Sequence, residues 1–485
     1  MSVSYDDVTY DEQDHLNYGV QILKGKSGKK VPGADFNSTM PVTAFNALPR
    51  AVEQLFEPGL QKTDGGRNDV KAGRYVSIAF GLVLLVYLFA FGKAVAGPAA
   101  GCWAMFLGAI DPNLLAHSRL VTTDLYGTLG FIAALYHLYR WLVCKERNQF
   151  YFFCIAIAIA QVCKVNNMLL YPVCFIAMLF YRPAYFSWRR FAWQAFVFLV
   201  VHYLVINTAF LFYQTGLALK YYEFRSTFFQ TLQQSWFSSF PLPLPKSFVD
   251  TFDLVQYERE TFAGTASNYL LGELRYKAGF WWYYVICFMV KTPLITQLLL
   301  VVSLILAWRQ NASRKPLLVF FFIPLVLLLF FVSSSAVQGG YRYLLPLLSL
   351  SFVVAGAVIA KYADGRIKKS MLILGAILMI PALIAFPNYI AYTSEWLWPK
   401  RHAYRYVSDS NLNWGQRQYR IKEILRQHPD YIFEPGAKTT GMIVVDINNL
   451  TGIFDAEKFR WLREHYDPVA VIEGCYLLYD IKELR

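Results

Sequence analysis

No two cysteines in this chain are spaced Cys-x-x-Cys, and six of its seven, all but Cys475, lie in or beside apolar runs. That excludes a disulfide framework or a cysteine zinc site as the organising device. Charge is scarce as well: Asp, Glu, Lys and Arg make up 16% of 485 residues, against 56% hydrophobic and 17% aromatic. A single soluble domain is excluded by that balance. Acidic residues are the scarcer kind, 33 against 46 basic ones, for a formal charge of +13. The basic excess sits in short clusters between apolar runs, the pattern of a membrane protein rather than a nucleic-acid groove. Internal repeats are absent, and the polar tail has no nucleotide-binding Gly-rich loop, Ser/His/Asp elbow or metal motif.

What is present is a series of apolar runs, each predicting a helix, at 73–95, 98–110, 125–143, 150–163, 167–182, 191–214, 280–308, 316–334, 343–361 and 370–388. Several are shorter than the roughly 20 residues of a perpendicular span. Basic residues follow alternate runs: Arg140, Lys145 and Arg147, then Arg182, Arg189 and Arg190, then Arg309, Arg314 and Lys315, then Lys361, Arg366, Lys368 and Lys369. The turns between them carry only Arg119, Lys164 and Arg342. The positive-inside rule puts the basic loops in the cytoplasm. Three parts follow: an outer loop at 1–72, a helical core at 73–388 with a large outer loop at 215–279, and an outer α/β tail at 389–485. The first run must then travel inward, yet Met1 to Asp7 is polar and acidic with no signal peptide. The topology predicts a preceding transmembrane helix that this sequence does not carry.

Ionisable residues beside a bilayer are the candidates for chemistry. Asp11, Glu12, Asp14 and His15 cluster near the start, on a predicted helix from Glu12 to Lys24. They are a functional carboxylate group or a solvated acidic tail. Lys26, Lys29 and Lys30 meet phosphate headgroups or solvent. In Asp111-Pro-Asn113 the aspartate is expected to cap a helix. Asp124 opens an apolar helix, as its cap or as a carboxylate partnered with Asp11. Lys164 and His202 must face protein, water or a ligand. Phe280-Trp-Trp-Tyr-Tyr284 reads as an interfacial aromatic belt. Lys291, before Thr292-Pro293 in the same predicted helix, either snorkels or meets a phosphate. Arg342, in Gly339-Gly-Tyr-Arg-Tyr343, offers a planar fork for phosphate oxygens. In the tail, a helix ending near Gln427, strands at 442–447 and 476–481, and a helix at 456–466 are expected.

Taken in order, Thr9-Tyr-Asp-Glu-Gln-Asp-His15 with Tyr18-Gly19, Pro112 to Asp124, Gly279 to Tyr284 with Lys291-Thr-Pro293, Tyr341 to Pro346 and Ser408 to Gln416 resemble one family. It is the polyprenyl-phosphate-sugar-dependent glycosyltransferases of family 39, which include protein O-mannosyltransferases and aminoarabinose transferases. The resemblance implies an α-helical polytopic membrane protein of GT-C fold in a bacterial inner or plasma membrane, its site on the outer face. It implies a polyprenyl-phosphate-linked sugar donor, a mannose-like hexose, and a hydroxyl acceptor on a protein, glycolipid or glycan. Asp11 matches the family's catalytic aspartate, a general base acting with inversion. Glu12 would support it, and Asp124 would bind acceptor, orient Asp11 or help hold a divalent ion. Arg119, Lys291 and Arg342 would meet the phosphate, with His117 hydrogen-bonding sugar or phosphate. The chain departs from the pattern at Met40-Pro-Val42, where Pro-Pro-Leu is usual, and at Asn413, where an aspartate is usual. The tail is therefore assigned no catalytic role. A transporter of lipid-linked sugars is the alternative, favoured by inverted repeats and paired broken helices.

Overall fold

A computed structural model describes residues 5–28, 39–56, 67–181, 187–262, 267–362 and 368–484. Lys29, Lys30, Arg182 and Arg366 lie outside the described residues. Each apolar run is helical, and the breaks fall at the chain's punctuation. Helices α1 (Glu12–Leu23) and α2 (Ala44–Phe56) precede α3 (Arg67–Ala96). At Gly97, with φ +88°, the chain turns, and Pro98 opens α4 (Pro98–Ile110). Proline suits that first position because its missing N–H would have no helical partner there. The short α5 (Pro112–His117) is capped as expected, the Asp111 carboxylate accepting from the amides of Asn113 and Leu114, each at 2.9 Å. Then come α6 (Thr123–Leu142), α7 (Gln149–Cys163), α8 (Leu170–Phe180) and α9 (Trp188–Ala209).

Among the described residues, four helical stretches are long and apolar enough to cross a membrane: Val70–Ala96, Trp188–Ala209, Ser313–Ser333 and Tyr341–Tyr362. Helices α3, α4, α6, α7 and one near the chain's later third, Leu345–Tyr362, pack together as the bundle's centre. Small residues permit the approach: a Cβ at Gly356 would stand 2.5 Å from the carbonyl oxygen of Ala100.

The stretch 215–279 is ordered where it is described. It holds α10 (Thr227–Gln233), α11 (Lys246–Thr261) and a hairpin of β1 (Asn268–Leu270) and β2 (Glu273–Arg275). The expected single helix at 280–308 is corrected: α12 (Tyr283–Lys291) and α13 (Leu294–Trp308) meet at 117°. Pro293 is the cause, since it donates no N–H and disfavours helical geometry at Thr292, whose ψ is 136°. Next are α14 (Asn311–Leu317), α15 (Ile323–Ser333), α16 (Leu345–Tyr362) and α17 (Lys368–Ala385).

The tail contains α18 (Gln418–Gln427), α19 (Ile447–Thr451) and α20 (Arg460–His465) on a four-stranded sheet. Its order is β3 (Tyr431–Phe433), β4 (Gly441–Asp446), β6 (Tyr476–Ile481), β5 (Ala470–Ile472), with β3 parallel to β4 and the other pairs antiparallel. Alternation of apolar residues marked β4 and β6. The tail docks on the chain's own beginning, Asp7 N donating to Gln416 O at 3.0 Å and Tyr10 N to Trp414 O at 3.1 Å.

Candidate active site

Asp11, Asp124 and Arg342 line one open-mouthed cavity, of about 920 Å³ counting its mouth. Asp11 stands at the N-cap position of α1 but caps nothing with its side chain. Its Oδ2 instead accepts from Arg342 Nη1 at 2.8 Å. Asp124 sits one residue inside α6 and makes no cap either. It pairs with Lys164, and Arg342 Nη1 lies 4.0 Å from its Oδ2. Two carboxylates at the heads of two helices are thus joined by one guanidinium. Arg342 is itself held by the Gly339 carbonyl at 2.8 Å, and it lies 4.4 Å from the Trp414 ring. The Gly340 backbone needs φ +82°, and the tail's Ser410 packs where a side chain there would go. At Gly127 a Cβ would approach the Lys164 side chain to 2.8 Å. Glycine there leaves room for the lysine to reach Asp124.

Glu12 lies behind the cavity, fully buried. Its carboxylate accepts from Arg74 Nε at 2.8 Å and Nη2 at 2.5 Å, and from the amides of Thr9 and Val121, each at 2.9 Å. The Arg74 and Val121 contacts tie Asp11's segment to α3 and to the loop before α6, and the Thr9 contact closes the turn within that segment. Glu12 does not line the cavity, and its contacts suit the supporting place expected for it beside Asp11.

The other sequence candidates are not in the cavity wall. Arg119 is 3% exposed and pairs with the equally buried Asp6 at 2.5 Å, with Arg417 of the tail 3.3 Å from the same carboxyl. His117 packs against Trp414 at 5.9 Å between ring centroids, and burial pushes its imidazole down to about 3. Lys291 donates to three carbonyls, Ile390, Tyr392 and Asn411, each at 2.6 Å. It neither snorkels nor reaches a phosphate; it pins the tail to the break between α12 and α13. Lys291→Met should release the tail, seen as faster proteolysis after residue 389 and a stability loss of about 3 kcal/mol, while polyprenyl-phosphate binding stays at wild type.

Sequence reasoning missed several of the cavity's residues. Lys164 was flagged only as a charge needing a partner. His15, Glu258, Arg259 and Tyr343 also line the cavity. Glu258 and Arg259 come from α11, inside the large outer loop, where nothing local separates them from a solvated helix. Burial raises the Glu258 carboxyl to about 7. Arg259 lies over the Phe331 ring at 4.4 Å and forms no ion pair among the described residues. A divalent ion between Asp11 and Asp124 does not fit, because Arg342 and Lys164 already neutralise both carboxylates. Among the described residues no group of three or more His, Cys, Asp or Glu is placed to hold one.

Residues 66–211, from α3 to the end of α9, match the family model described as dolichyl-phosphate-mannose-protein mannosyltransferase. No curated protein sequence matches the chain. The crystal structure of ArnT from Cupriavidus metallidurans bound to undecaprenyl phosphate superposes with a TM-score of 0.51 at 14% identity, covering 80% of this chain and 62% of that one. The archaeal oligosaccharyltransferase AglB from Archaeoglobus fulgidus, in complex with an inhibitory peptide and a dolichol-phosphate, superposes with a TM-score of 0.45 at 11% identity, over 83% of this chain and 55% of that one. The chain thus spans less than two thirds of either. The likeness to ArnT shows a GT-C membrane fold.

Proposed function

We propose that this integral membrane protein of GT-C fold is a glycosyltransferase, moving a mannose-like hexose from a polyprenyl monophosphate to a hydroxyl acceptor at the outer face. The acceptor is a hydroxyl of a protein, glycolipid or glycan. The observation that carries this reading is one cavity joining a positioned carboxylate, Asp11, to an arginine that has no acidic partner among the described residues, Arg259. Arg342 holds one oxygen of Asp11 and leaves the other without a hydrogen bond among the described residues. That oxygen takes the acceptor's proton as the hydroxyl attacks the sugar's C1. The bond from C1 to the phosphate oxygen breaks, and its electron pair leaves with the phosphate. Negative charge grows on the leaving oxygen, where a fixed cation stabilises the transition state more than the ground state. Arg259 supplies it, with Lys164 nearby. Attack from the face opposite the phosphate inverts the sugar carbon.

The cavity's charges suit this ligand. Lys164, Arg259 and Arg342 face Asp11, Asp124 and Glu258. With Glu258 protonated, one net positive charge remains to meet a phosphodiester.

Arg259→Ala tests the reading. The kcat/KM for the donor should fall about 10–100-fold, the loss of one charged hydrogen bond, through a lower kcat as well as a raised KM. Polyprenyl-phosphate binding should weaken in parallel. An unchanged kcat/KM and affinity would remove Arg259 from the phosphate and reverse the assigned orientation of the donor.

A further inference from the structure

We propose that His15 is a substrate-contacting residue whose Nε2 hydrogen-bonds a hydroxyl held beside Asp11, an inference that rests on the transferase reading above. His15 follows Asp11 by one helical turn, its amide donating to the Asp11 carbonyl at 3.2 Å. Residues four apart share a helix face, so both side chains line the same cavity. The imidazole is 5% exposed and lines the cavity; its Nδ1 is enclosed, and among the described residues neither ring nitrogen has a hydrogen-bond partner, which leaves Nε2 as the nitrogen open to the cavity. A buried polar atom left unpaired is costly, and when it borders a cavity its missing partner can be a ligand. His117 makes the contrast: among the described residues its Nδ1 is also unpartnered, but it does not line this cavity.

The surroundings select the ligand's chemistry. Asp11, Asp124, Arg342 and Lys164 all act on the His15 ring, and the two negative and two positive charges oppose one another. Burial is the larger influence and depresses the imidazole's basicity, so the ring is neutral at neutral pH. A neutral imidazole offers one donor and one acceptor, as a hydroxyl does. A phosphate, which only accepts, is better served by the arginines and the lysine that line the same cavity. The hydroxyl belongs either to the transferred sugar or to the acceptor.

The full chain in lipid nanodiscs would be tested with polyprenyl-phosphate hexoses and their analogues lacking one ring hydroxyl each. Binding is measured first, because it does not depend on turnover. For a sugar hydroxyl, the wild type should lose about 10-fold on one deoxy donor. His15→Ala should not discriminate against that analogue, and His15→Gln, which keeps a polar amide near the Nε2 position, should restore discrimination. For an acceptor hydroxyl, deoxy donors bind alike, and His15→Ala instead raises the KM for an octyl glycoside acceptor about 10-fold. Variants that lose thermal stability while donor discrimination and acceptor KM both hold would overturn the proposal. Selective donor binding without any transfer by the wild type would sink the transferase reading and leave His15's contact standing. Failure of the wild type to bind any of these donors would overturn both.

Discussion

Asp11→Asn is expected to lower sugar transfer about 10²–10⁴-fold while polyprenyl-phosphate binding stays close to wild type. Asparagine has the shape of aspartate, and its amide oxygen can still accept from Arg342, so the cavity wall should keep its form. An amide cannot take a proton from an attacking hydroxyl. The substitution therefore separates chemistry from binding, and labelled polyprenyl-phosphate-mannose in membranes reads both. Asp124→Asn should behave differently, because Asp124 is committed to Lys164 and to the far side of Arg342. Its loss would free both cations and disturb donor binding along with the rate. If Asp11→Asn kept its turnover, the base would have to be Asp124 or a group outside this cavity.

Arg74→Met should cost about 3–5 kcal/mol of stability, the penalty for stranding a buried carboxylate. Arg74 supplies both charged hydrogen bonds to Glu12 and also donates to the carbonyls of Asp6 and Asp7, at 3.0 and 2.7 Å. A thermal-unfolding series in detergent would show the loss. Pairing the change with Glu12→Gln should recover part of it, because no unpaired charge is then buried, and the shortfall from additivity measures the coupling. A Glu12→Gln protein of wild-type stability that had lost turnover would place Glu12 in the chemistry. Around Arg74 the same logic extends outward. Asp6 is held by Arg119 from the loop before α6 and by Arg417 from the tail. Burial raises the Asp6 carboxyl and the nearby arginines lower it, with burial the larger effect. This charged knot, outside the cavity, aims α1 so that Asp11 meets Arg342.

Much of the architecture was legible in residue order. The places of most apolar helices followed from apolar runs, and the cap at Asp111 from its residue type. The tail strands at 441–446 and 476–481 followed from alternation. The break at Pro293 was misjudged because a proline within a long apolar run can kink a helix or end it, and neighbouring structure chooses. Lys291 illustrates the same limit. A lysine two turns below an aromatic belt is read as a snorkelling or phosphate-binding group, but the tail arrives from about 100 residues away with three carbonyls for it.

The candidate site divides along the same line. Asp124 and Arg342 could be picked from the sequence because each is a charge at the edge of an apolar helix, where an idle charge is costly, and Asp11 because it sits in an acidic cluster that matches the family's catalytic aspartate. Glu258 and Arg259 could not, since α11 is polar enough for any charge on it to be a solvated one. The tail's Trp414 could not either, since its contact with Arg342 joins two distant parts of the chain.

Residue order alone determined the membrane character, the helix positions and which charges need partners. Those properties depend on hydrophobicity over about twenty residues and on backbone constraints acting within a turn. Tertiary packing alone decided which cation meets which carboxylate. Glu12 pairs with Arg74 across 62 residues and Asp11 with Arg342 across 331, so no local pattern encodes either choice. Charge pairing in a desolvated interior depends on distance in space, and only the packed bundle sets that distance.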